Sequence, residues 1–202
     1  QLLPKGVPRD ALESYKKGMQ FAQSGDTNKA IEQLKRAISI QPGFGPALNQ
    51  LGVQYLKLGQ ADKAAEVLEA AVKSAPEEYE PRLNYGVALL GLKKFPEAEQ
   101  QLTTALKKNR SAPTAHMYLG MVLMNLKKMD DAKKEFETAV SSNSAEVGQA
   151  HRYLGGIYWG NKDYKRAADE LETYLKLTPK AADAERTRAA IKDLRAKQPP
   201  AN

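Results

Sequence analysis

The stretch 45–78, GPALNQLGVQYLKLGQADKAAEVLEAAVKSAPEE, decides the fold. Leu48, Leu51, Gly52 and Tyr55 mark its first half, and Ala64, Leu68, Ala71 and Pro76 its second. In each half the apolar and small residues fall three and four apart, the spacing of one face of a helix. Gly59-Gln60 interrupts the two halves, so the unit reads as a helical hairpin. The same pattern runs outward in both directions. Gly52 has counterparts at Gly18, Gly86, Gly120 and Gly155, at steps of 34, 34, 34 and 35 residues, and Ala64 has counterparts at Ala30, Ala98, Ala132 and Ala167. A fixed period of this length predicts stacked repeats over 11–44, 45–78, 79–112, 113–146 and 148–181. Such arrays expose an extended surface, so the expected task is to hold another molecule.

These residues resemble the tetratricopeptide repeat family over about 85% of the chain. The glycines and alanines fill the family's small-residue slots. Phe21, Tyr55, Leu89, Leu123 and Tyr158 fill its large apolar slot, and Leu34, Leu68, Leu102, Phe136 and Leu171 its second-helix apolar slot. Pro42, Pro76 and Pro179 stand as closing prolines. The resemblance implies an all-α fold: a right-handed α-solenoid of five hairpins plus a C-terminal capping helix. Glycine inside a helix costs roughly 0.5–1 kcal/mol relative to alanine, so five in one register require close approach of a partner helix. The pattern departs at Arg110 and Ser144, which replace closing prolines, and one extra residue within 141–147 predicts a looser turn. Tyr174 stands where the last alanine belongs and predicts different packing beside the cap.

Residues 1–10, with Pro4 and Pro8, read as an extended leader with Asp10 as N-cap of the first helix. A capping helix is expected over 182–197, on a stripe of Ala184, Thr187, Ile191 and Leu194, followed by a tail at 198–202. The chain opens on Gln1 rather than methionine, which predicts a processed protein or a fragment and leaves open whether a domain precedes residue 1. No apolar run approaches the ~18–20 residues of a membrane span. No signal peptide is visible, and the absence of cysteine excludes disulfides and thiolate metal sites. Similar arrays are common in envelope-associated bacterial proteins, so the resemblance implies a bacterial source and a cytoplasmic or envelope location. Net charge is +7, with Lys93-Lys94, Lys127-Lys128 and Lys162 at hairpin turns. These are expected to form a solvated basic edge. No aromatic stacking platform interleaves them, so nucleic acid is not an expected partner.

No phosphate loop or nucleophile elbow occurs, and no pair of carboxylates suggests acid–base chemistry. His116 and His151 fall at one slot of adjacent repeats, four residues before the packing glycine, where a packing role is expected. Stacked equivalents at helix spacing lie too far apart to share a zinc ion. The expectation is a non-enzyme with no cofactor and no metal.

In the family the first helix of each hairpin lines the concave face. That implies a groove of Tyr15, Met19, Asn49, Gln50, Val53, Leu83, Asn84, Val87, Met117, Tyr118, Met121, Met124, Arg152 and Tyr153, with Trp159 beyond them. One family subtype clamps a peptide's terminal carboxylate with lysine, asparagine and arginine on three adjacent repeats. No register of this chain supplies those cations, so that ligand is not expected. The groove is instead apolar, with adaptable methionines and amphipathic tyrosines. It predicts a scaffold for an extended or helical peptide with apolar anchors, with Asn49 and Asn84 holding the peptide backbone. The alternatives are a self-associating spacer, hence a homo-oligomer, and a regulatory arm of a longer chain.

Overall fold

In the computed structural model, residues 6–142 and 144–197 are described. Each repeat folds as the hairpin its spacing demands. The helices are α1 (Arg9–Gln23), α2 (Thr27–Ile40), α3 (Gly45–Lys57), α4 (Ala61–Ser74), α5 (Tyr79–Gly91) and α6 (Phe95–Lys108). They continue with α7 (Pro113–Asn125), α8 (Met129–Val140), α9 (Gly148–Gly160), α10 (Tyr164–Leu177) and α11 (Ala184–Ala196). The described residues contain no strand. They divide into two compact units, one ending at Arg110 and the other starting at Ser111, where the third closing proline is missing. Repeats contact only their neighbours, so any seam between hairpins is a natural division.

The periodic glycines mark the tightest seams. A Cβ on Gly86 would lie 2.7 Å from Leu102 Cγ, and one on Gly120 would lie 2.7 Å from Phe136 Cε1. Gly18, Gly52 and Gly155 press equally hard on Leu34, Leu68 and Leu171. Each packing glycine thus seats the apolar residue of its own hairpin's second helix, and any larger side chain overpacks the seam by about 1–3 kcal/mol. Ala30, Leu34, Ala64, Leu68, Ala98 and Leu102 are wholly buried by this arrangement. Each buried leucine contributes about 1.5–3 kcal/mol relative to exposure.

The five hairpin turns share one hydrogen bond. The N–H groups of Asp26, Gln60, Lys94, Lys128 and Asp163 donate to the carbonyls of Phe21, Tyr55, Leu89, Leu123 and Tyr158, each at 2.9 Å. This closure places the preceding residue in the left-handed region. Gly25 and Gly59 occupy it in the first two hairpins, whereas Lys93, Lys127 and Lys162 occupy it in the others at φ of 60°, 64° and 62°. A side chain there costs roughly 1–2 kcal/mol that glycine avoids.

In the first unit, α1 to α6 form three hairpins. Phe44, just before α3, is buried and meets Tyr15 at 5.2 Å between ring centres. Gln54 is 1% exposed, and neither its amide oxygen nor its nitrogen finds a partner among the described residues. In the second unit, α7 to α10 form two hairpins and α11 follows them. The expected irregularity before α9 is a single 3-10 turn, Ala145–Val147, and α8 ends after 12 residues where α6 runs 14. Residue 143 lies outside the described residues. Tyr174 is buried, and its hydroxyl donates to Asp183 Oδ1 at 2.7 Å, joining α10 to the start of α11. Leu194 is wholly buried, Thr187 nearly so, and Arg195 bonds Asp169 and Glu172 of α10.

One detail differs from the sequence reading. The first helix starts at Arg9, with Pro8 at the N-cap and no side-chain cap. Asp10 therefore lies inside the first turn, where its charge favours the helix N-terminus. Residues 1–5 of the leader and the tail 198–202 lie outside the described residues.

Candidate functional site

In the first unit, α1, α3 and α5 border a cleft of about 510 Å³ lined by Tyr15, Met19, Asn49, Gln50, Val53, Glu80 and Asn84. Asn49 is 2% exposed, and its Oδ1 accepts from Asn84 Nδ2 at 2.9 Å. The asparagine carbonyl expected to hold a ligand backbone is thus bonded across two hairpins, and the half-buried Asn84 keeps the exposed share of the pair. Burial pushes the Tyr15 phenol above its usual range. Leu83 and Val87 are half-buried on α5 and do not line this cleft.

In the second unit, a cleft of about 700 Å³ opens between α7, α8, α9 and α11, with Leu171 of α10 reaching it. Met124, Met129, Tyr153, Ile157 and Trp159 supply its apolar surface. Trp159, the chain's one tryptophan, is 43% exposed and Met129 is 44% exposed. Tyr153 stacks on the buried Phe136 at 5.1 Å with the rings 10° from parallel. One face of the Tyr153 ring therefore packs on the core, and the side chain also lines the cleft. Gly156 and Gly160 lie on the same face of α9, with nothing within 4 Å of where a Cβ would stand. The missing side chains hold the cleft open.

Charge enters from α9 and α11. Arg152 Nε pairs with Asp183 Oδ2 at 2.8 Å, and Asp183 also accepts from the Tyr174 hydroxyl. That hydroxyl first, and Arg152 after it, hold the Asp183 carboxyl below the usual carboxylate range. Lys133, Arg186 and Asp130 complete the charged lining.

Of the groove positions taken from the sequence, Met117 is corrected. It is 5% exposed, so its side chain on α7 is buried and offers a ligand almost no surface. Tyr118 and Met121 are half-buried on α7 and do not line the cleft, and burial raises the Tyr118 phenol. The sequence reading missed Gly156, Met129, Lys133 and Arg186.

The histidines are engaged within their own hairpins. His116 Nδ1 meets Glu135 Oε2 and His151 Nδ1 meets Glu170 Oε2, each at 2.6 Å. Nearby, Tyr158 donates to Glu137 at 2.9 Å, and burial together with this bond pushes its phenol up to about 12. The described residues hold no group of three histidines or carboxylates placed for a metal ion. No described helix is long and apolar enough to cross a membrane.

The chain resembles many solved helical-repeat structures. A thermophilic TPR protein of Thermus thermophilus aligns with 90% of this chain and 99% of its own, at 22% identity and a TM-score of 0.72. YrrB, described as a TPR protein with an unusual peptide-binding site, aligns with 89% and 92% at 18% identity and a TM-score of 0.67. A chain of the APC/C hetero-tetramer Cut9–Hcn1 aligns with 96% of this chain at 21% identity and a TM-score of 0.82, and this chain spans 38% of its length. These likenesses concern the fold. No curated protein matches the chain. Residues 21–88 and, overlapping them, 55–117 match the tetratricopeptide repeat family, as do residues 122–182. With these matches spanning most of the sequence and the hairpins repeating at the same period, the chain belongs to the tetratricopeptide repeat family.

Proposed function

We propose that this chain is a non-enzymatic protein-interaction scaffold that holds a peptide or protein segment on the faces of its first helices. The observation that carries the reading is that each unit opens a cleft along those helices with large apolar side chains turned into it. Met19 and Val53 line one, and Met124, Tyr153 and Trp159 the other. Methionine repacks around varied shapes, and aromatic residues add area with a polar edge. The peptide-binding site ascribed to YrrB, a protein of the same fold, supports the reading. The histidines are taken up by glutamates inside their hairpins, which favours holding over chemistry.

The test is affinity capture from a lysate of the source organism, read by mass spectrometry. The bait is the full chain, run beside Met19→Glu/Val53→Glu and Met124→Glu/Trp159→Ala variants whose helicity and Tm match the parent. A protein captured by the parent and lost with either variant supports the scaffold reading. Equal capture by all three, or capture of nothing above the bare resin, removes it.

A further inference from the structure

Resting on that scaffold reading, we propose that the cleft of the second unit is a docking site for an acidic, apolar peptide segment. Its bulky apolar side chain would enter between Met124, Tyr153 and Trp159, and a neighbouring Asp or Glu would pair with Arg186 and Arg152.

Charge complementarity selects this occupant. Three cations line the cleft, Lys133, Arg152 and Arg186, against two acids, Asp130 and Asp183. Asp183 is already taken by Arg152 and Tyr174. Arg152 meets it through Nε at 2.8 Å, and the arginine side chain is still 46% exposed at the cleft. Arg186 makes no ion pair among the described residues. An exposed guanidinium beside an apolar wall is suited to a carboxylate, because its planar fork matches carboxylate geometry. Asp183 itself shows a carboxylate seated on Arg152. Asp130 stands on α8 and steers a ligand acid toward α9 and α11 instead. The +7 net charge adds long-range attraction for an acidic segment.

The apolar half is equally marked. Trp159 and Met129 are two of four large hydrophobic residues that the described chain leaves exposed, and both line this one cleft. Gly156 and Gly160 remove the side chains that would otherwise cover the floor. Aromatic anchors in pockets rimmed by arginine are the pattern of interface hot spots.

Trp159 also supplies the readout, since no other tryptophan contributes to emission. Phage-displayed random peptides of about twelve residues, long enough for a helical or extended docking motif, are panned on the immobilised full chain. The most enriched sequence is then synthesised and titrated while Trp159 emission is followed. The expected motif has Phe, Leu or Ile within three positions of Asp or Glu. Its binding shifts Trp159 emission saturably. It weakens about tenfold or more in Arg186→Glu and when the peptide's acids become amides, and it is blocked in Gly156→Leu. Both variants alter exposed positions with open space around them, and matching Tm values check their folding. Enriched peptides without acids, or binding that survives Arg186→Glu, overturn the proposal. Peptides that bind without moving Trp159 emission and are lost in Met19→Glu/Val53→Glu overturn it while leaving the scaffold reading intact. Failure to enrich any peptide removes both.

Discussion

The two clefts are built from the same repeat yet differ in what they leave available. In the first unit the polar groups are turned on each other: Asn49 is buried and bonded to Asn84, and the one charged residue at the cleft is Glu80. In the second unit three cations stand against two acids, Arg186 is left without an ion pair among the described residues, and the apolar surface includes an exposed tryptophan. The repeat dictates glycine, alanine and leucine at its seams and says nothing of the residues between them. Recognition is therefore free to diverge from hairpin to hairpin while the scaffold stays constant. The last cleft also differs because α11 supplies one wall, so the capping helix contributes Arg186 as well as covering the core.

The hardest blow to this contrast is Phe136→Ala. It empties the seat under Gly120 and strips Tyr153 of its stacking partner. We expect a loss of about 3–5 kcal/mol in urea denaturation. Leu68→Ala, its counterpart in the first unit, has no stacked tyrosine to lose, and its cost is expected at the lower end of the leucine range of about 2–5 kcal/mol. Next comes Asn84→Leu, which strands the buried Asn49 amide. A loss of about 1–3 kcal/mol is expected, with Asn49→Leu/Asn84→Leu recovering most of it. Denaturation of the single and double variants measures the difference.

A smaller effect separates the turns. Lys162→Gly removes the side chain from a left-handed residue and is expected to raise stability by about 0.5–1 kcal/mol, whereas Gly59→Lys loses a similar amount. Thermal melts of both variants report it. The smallest effect concerns pH. The Asp183 carboxyl is held below its ordinary range, so the stabilisation is complete above the unfolded value near 3.9 and fades as pH falls through the folded value. Asp183→Asn should therefore lower Tm near neutrality and narrow its gap to the parent below about pH 4, as followed by circular dichroism.

The hairpins were legible because close packing constrains sequence locally. Gly86 must be small because Leu102 sits against it, and that need recurs at a fixed interval. The clefts were legible only in part. Helical phase places Tyr15, Met19 and Val53 on one face, but it cannot reveal that Asn49 and Asn84, 35 residues apart, spend their amides on each other. Met117 shares the first-helix pattern and yet is enclosed by its neighbours. Gly156 was hidden by its neighbour: two adjacent glycines look alike in sequence, although Gly155 touches Leu171 and Gly156 touches nothing. Arg186 lies beyond the repeats, where no periodic slot announces it.

The bond between Asn49 and Asn84 has one further consequence. Hairpins built to a common pattern are nearly interchangeable partners, so a folding chain risks joining them in the wrong order. At the slot of Asn49 the other repeats carry Tyr15, Leu83, Met117 and Arg152, and at that of Asn84 they carry Lys16, Gln50, Tyr118 and Tyr153. No other pair of successive hairpins brings two asparagines to these slots. A mispaired array would bury Asn49 without its matching amide, much as a lone buried asparagine fixes alignment in coiled coils. One hydrogen bond thus serves as an address, marking the third hairpin as the proper successor of the second.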